Sequence, residues 1–120
     1  MQSIKTAVMT ALSSAATLST LGGRIYFHYP SDFTNLPALS YFETSNLGNL
    51  YADNVEAGSE IIYQLDLWSR SSTTVLAKAV DDIMIGIDFN RILCVDMYET
   101  DTKIYHKSMR YRIDYSDPNF

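Results

Sequence analysis

The chain holds one cysteine, Cys94, and two histidines, His28 and His106. One thiol cannot make an internal disulfide, so the fold must rest on its core. One Cys and two widely separated His do not compose a zinc ligand set. The nucleophile elbow, the phosphate-binding loop and the glycine-rich dinucleotide fingerprint are all missing. No N-x-[ST] acceptor occurs either. No run of about 18 apolar residues exists, so no segment reads as a membrane span. The opening stretch "MQSIKTAVMTALSSAATLSTLGG" superficially mimics a secretory signal. Ser and Thr interrupt its apolar run and Lys5 is its one base, so it reads as part of the fold. Positive charge is also missing from a long stretch. Between Arg24 and Arg70 there is no Lys or Arg, yet Asp32, Glu43, Asp53, Glu56, Glu60 and Asp66 fall there.

What is present is an ordinary globular balance. The 120 residues are 47% hydrophobic and 19% charged, with nine Tyr and five Phe. A chain of this size buries roughly two-thirds of its unfolded surface, enough for one core. Residues 1–120 read as one domain with no internal repeat and no linker. The net charge of -5 opposes nucleic-acid binding, which needs a basic face. The single Cys fits synthesis in a reducing cytoplasm.

Apolar residues at Ile4, Ala7, Val8, Ala11, Leu12, Ala15, Leu18 and Leu21 predict an amphipathic helix over 3–21, stopped by Gly22 and Gly23. "RIYFHY" (24–29) reads as a short strand ended by Pro30. "ALSYFET" (38–44) reads as a second strand. "SNLGNLYADNVEAGSE" (45–60) has no clear period and reads as a long loop. "IIYQLDLWS" (61–69) alternates as a strand. Leu76, Ala79, Val80, Ile83 and Ile87 form a helical stripe, with Gly86 near its end. Strands at 91–99 and 103–115, joined by "TDT", make a hairpin. Short connections imply an α+β fold: a mainly antiparallel sheet of about five strands with two helices packed on one face.

Candidate chemistry is sparse. His28 and His106 read as surface or rim histidines, and Cys94 as an inert core thiol. Asp81 and Asp82 are helix neighbours that point about 100° apart, so they read as a solvated face. "DNVEAGSE" lacks the alternating acids of a calcium loop. Trp68 and the tyrosines lack interleaved bases, so core packing is preferred to a base-stacking platform. Tyr51, Trp68 and Tyr98 are candidates for an exposed aromatic patch. No metal, cofactor or catalytic residue is expected, and the chain does not read as an enzyme.

The charge distribution remains. Lys103, Lys107, Arg110 and Arg112 sit near the end, and the acids sit in the middle. His106, Ser108, Arg110, Arg112 and Asp114 alternate onto one face of the last strand, while Lys107 intrudes among the apolar residues of the other. Such a face can be simply solvated. It can also meet an acidic patch on another copy, a heterologous contact that closes into a ring where the rotation allows.

"LYADN" (50–54), "IIYQLDLWSR" (61–70), "LAKAVDDIMIGIDFNR" (76–91) and "DMYETDTKIYHKSMRYRID" (96–114) carry a resemblance. In element order over residues 4–115, the chain resembles the tail completion, or head–tail joining or tail terminator, proteins of long-tailed phages and prophages. The resemblance implies a structural virion protein without a cofactor. It implies a ring, usually a hexamer, at the head-proximal end of the tail tube. That ring would end tube growth, dock to the head completion (stopper) protein and let DNA pass without sequence-specific binding. No membrane is implied. Arg110, Arg112, Lys107, Asp53 and Glu56 are the candidate assembly residues. The other reading is a small monomeric α+β module that binds a ligand or protein, as an inhibitor or antitoxin does.

Overall fold

A computed structural model of the chain describes residues 4–28, 30, 34–52 and 55–115, with backbone alone at 20, 46–52, 55–59 and 115. Helix α1 spans Ile4–Ser14 and buries Ile4, Val8 and Leu12. It has no acid in its first turn and no base in its last. Packing therefore holds it, rather than termini matched to the helix dipole. The chain tightens into a 3-10 turn over Ala16–Leu21 that buries Leu18 and Leu21. Gly22 ends the turn at φ 55, the left-handed conformation glycine adopts without a Cβ clash. The expected single helix over 3–21 is thus two pieces. Ser13 and Ser14 favour a helix end, and the Ser14 hydroxyl donates to the Thr10 carbonyl at 2.7 Å.

Strands β1 (Ile25–Phe27), β2 (Ala38–Ala52) and β3 (Val55–Ser69) follow, then helix α2 (Thr74–Gly86), and strands β4 (Asn90–Glu99) and β5 (Ile104–Tyr115). The sheet order is β1-β2-β3-β5-β4. Only β1 and β2 pair in parallel; the other ladders are antiparallel. The fold is α+β, as expected. One face carries both helices. Ile61, Tyr63, Leu65 and Leu67 of β3 meet Val8 and Leu12 of α1, Val80 and Met84 of α2, and Met109 and Tyr111 of β5 in one core. The alternation of "IIYQLDLWS" produces this layer, because successive strand residues point to opposite faces.

The expected loop over 45–60 is a correction. Residues 45–52 and 55–60 are strand, and β2 and β3 pair from Ala38↔Trp68 to Ala52↔Val55. Register shifts interrupt the ladder between Glu43 and Ser45 and again near Leu50. Each bulge moves the side-chain alternation by one, which erased the period in the sequence. Among the described residues β5 pairs with β3 as far as Ser59↔Tyr115, and the distal part of the hairpin runs on as a two-stranded arm. The molecule measures 54 × 27 × 23 Å.

Candidate assembly surface

The helix-free face of the sheet is not simply solvated. Ser40, Asp66 and Trp68 are buried there, although no helix covers them. A linked set of polar side chains explains this. Arg110 Nε donates to Gln64 Oε1 at 3.1 Å. Gln64 Nε2 donates to both oxygens of Asp66, at 3.2 and 3.1 Å. His106 Nε2 donates to Asp66 Oδ1 at 2.7 Å. The His106 ring stacks on Trp68 with centroids 3.6 Å apart. Trp68 Nε1 in turn donates to Ser40 Oγ at 3.2 Å. The set crosses β5, β3 and β2, because Gln64↔Arg110, Asp66↔Ser108 and Trp68↔His106 are direct cross-strand neighbours. A buried carboxylate is tolerable only when it is this well satisfied.

Of the surface or rim position expected for His106, the structure gives the rim, with the ring partly buried, and Trp68 is neither an exposed aromatic nor part of the helix-side core. Strand alternation places both residues on the outer face, but only the register puts them opposite each other. His28 is exposed, at φ 71, and stacks on Phe42.

The basic strand is partly neutralised within the chain. Arg112 is bridged to Glu60 at 3.6 Å and to Asp114 at 3.0 Å, with its side chain 46% exposed. Lys107, on the helix side opposite Leu67, is bridged to Asp96 at 3.1 Å. Arg110 is exposed and spends its Nε on Gln64. Glu60 and Asp66 belong to the acidic middle of the chain, so two of those acids meet the basic end within one copy. Asp53 lies outside the described residues. Glu56 stands opposite Tyr51 near the end of the arm, and its side chain and that of Tyr51 also lie outside the described set.

Asp81 is the other departure. Its Oδ1 accepts from the Tyr111 hydroxyl at 2.8 Å and pairs with Arg91 at 3.4 Å, so it is half-buried rather than solvated. Asp82 is exposed and pairs with Lys78 one helical turn away. Burial, and then the bond to Asp81, hold the Tyr111 hydroxyl well above the ordinary tyrosine range.

β4 is the most unusual element. All ten of its residues are exposed. Leu93, Val95 and Met97 are 42%, 39% and 43% exposed, and Tyr98 is 48% exposed beside Tyr105. Cys94 lies here and is exposed, which corrects its expected place in the core. The apolar letters of "RILCV" signalled burial, but β4 is an edge strand: α2 meets its start through Asp81 and Arg91, and among the described residues no further strand lies beyond it. Between it and the start of α2 lies a groove of about 400 Å³, lined by Thr73, Asp96, Tyr98, Tyr105 and Lys107 among others.

Among the described residues no group of His, Cys, Asp and Glu could hold a metal ion. What this surface offers is edges and faces for contact with other protein, the equipment of a structural component. The chain matches the family described as tail completion protein gp17 over residues 6–116. It belongs to that family, and is thus a structural tail protein of bacteriophage and a component of the virion. The family is one of structural phage proteins. A chain in the solved structure of the virion of a native gene transfer agent particle has a similar fold. The TM-score is 0.75 and the identity 14%, with 93% of each chain covered. No curated protein matches significantly.

Proposed function

We propose that the protein forms a ring, a hexamer, at the head-proximal end of the tail tube, where it ends tube growth and joins tail to head. The tail tube protein lies on one side and the head completion (stopper) protein on the other. DNA passes through the ring without sequence-specific binding. Residues 1–120 act as one tail-completion domain. Membership of the tail completion family is the observation that carries this reading. The exposed apolar strand β4 supports it, because a lone soluble chain rarely leaves such an edge open.

Arg110, Arg112 and Lys107 are proposed to meet Asp53 and Glu56 of a neighbouring copy. The internal partners of Arg112 are themselves partly exposed, and Arg110 carries donors beyond the one given to Gln64. Both guanidinium groups can therefore take a further carboxylate. The test is mass in solution, alone and with the tail-tube protein. A closed oligomer, or capped tubes of limited length, is expected. Arg110→Glu combined with Arg112→Glu is expected to abolish it. A chain that stays monomeric in both conditions would favour the small binding module instead.

A further inference from the structure

Two edges of the sheet lack a neighbour among the described residues. At one end β4 is the outermost strand, exposed along its whole length. At the other end β1 covers β2 only from Leu39 to Tyr41, so residues 42–52 of β2 present an open edge. We propose that β4 of one copy pairs antiparallel with residues 42–52 of β2 in the next copy, joining the sheets head to tail. This rests on the ring reading above and gives it an interface.

Three observations lead to this pairing. The first is length. β4 has ten residues and the open part of β2 is of similar extent, whereas β1 has three and cannot template a strand of ten. The second is direction. The β2–β3, β3–β5 and β5–β4 ladders are all antiparallel, so β2 and β4 run in opposite senses within one copy. A ring rotation preserves those senses, so the two strands meet antiparallel.

The third is stagger. Through Ser108, Val95 at the middle of β4 lies level with Asp66 of β3. Leu47, at the middle of the open β2 edge, lies level with Glu60. Joining the two middles slides each copy along its strands by about 20 Å, at about 3.4 Å per residue. The four strands β2, β3, β5 and β4 span about 19 Å at about 4.8 Å per strand. The resulting lean is about 46°, next to the upper limit of the roughly 35–45° tilt of closed sheets. The stagger that the free edges demand is one that a closed ring of sheet tolerates.

Each edge also supplies what the other lacks. Among the described residues the arm beyond Ser59 has two strands, and a two-stranded hairpin is marginal in water. A neighbour's β4 gives it a third strand. In return β4 gains partners for its outward N–H and C=O groups and cover for Leu93, Val95 and Met97. A two-fold pairing of β4 with β4 would leave the arm uncovered and would end at a dimer.

Cysteine cross-linking tests the pairing. The stagger brings Glu43 of β2 near Tyr98 of β4 in the next copy. Both side chains are exposed and both lie on the helix side, opposite Tyr63 and Tyr105. Glu43→Cys with Tyr98→Cys, in a Cys94→Ser background, is treated with a short bis-maleimide in the presence of the tail-tube protein. A ladder of covalent multimers ending at the ring size is expected, with no ladder from either single cysteine. Melting temperature before treatment checks that the variant folds. Dimers formed through Cys94 alone in the natural sequence would indicate the two-fold contact and overturn the proposal. A ring of full mass without the ladder would overturn the proposal while leaving the ring reading intact. A monomer under every condition would remove both.

Discussion

The His106 imidazole lies 2.7 Å from the Asp66 carboxylate and flat against Trp68, at a ring separation of 3.6 Å. The three side chains come from adjacent strands on the face that carries no helix. Asp66 is 4% exposed, so water cannot take the place of the lost His106 donor, and Gln64 remains its one side-chain donor named above. His106→Ala should cost about 1–3 kcal/mol of folding stability, the penalty of leaving a buried acceptor unsatisfied. His106→Gln should restore part of this. Urea denaturation checks both, and a cycle with Asp66→Asn should show coupling of about 0.5–3 kcal/mol.

Tyr111 and Asp81 tie the core to α2. Tyr111→Phe keeps the packing and removes the 2.8 Å bond, so it should cost about 0.5–1.5 kcal/mol, the net worth of one hydrogen bond. Asp81 retains Arg91 in that variant, which limits the loss.

Alkaline pH should unfold the protein through its buried tyrosines. Burial raises Tyr63 and Tyr111 above the ordinary value of 10.0, with Glu43 adding to the first and Asp81 to the second. A raised pKa stabilises the folded state fully below the unfolded value, and that stability is lost as pH rises beyond it. From pH 10 upward, each of the two tyrosines should remove about 1.4 kcal/mol per pH unit. Denaturation midpoints from pH 8 to 11 check this, and Tyr111→Phe should reduce the slope.

Val95→Lys with Met97→Lys should abolish association and leave the monomer's melting temperature nearly unchanged. Both side chains reach solvent in the single chain, so a lysine there keeps its ammonium in water while its stem covers the same apolar surface. Charge on an edge strand opposes pairing with another sheet. Calorimetry and mass in solution separate the two effects.

Arg112→Ala should change monomer stability by less than about 1 kcal/mol, because its ion pairs are solvent-exposed. A larger loss would mean that the basic strand serves the fold rather than assembly. The comparison is a melt of the monomer with and without the substitution.

Much of this protein was legible from residue order alone. The alternation of Ile61, Tyr63, Leu65 and Leu67 and the helical stripe from Leu76 to Ile87 each named a buried face, because local period dictates which side chains share a side. The tail completion resemblance lay in the same stretches. Tertiary structure alone decided three other things. Register shifts hid the strands over 45–60, since a bulge resets the alternation that reading depends on. Pairing β5 between β3 and β4 set His106 against Asp66 and Trp68, a contact across 40 residues of chain that no local pattern encodes. Placing β4 at the sheet edge left Cys94, Val95 and Met97 exposed. Apolar side chains announce that a strand will be covered, but not whether its own chain or another copy will cover it.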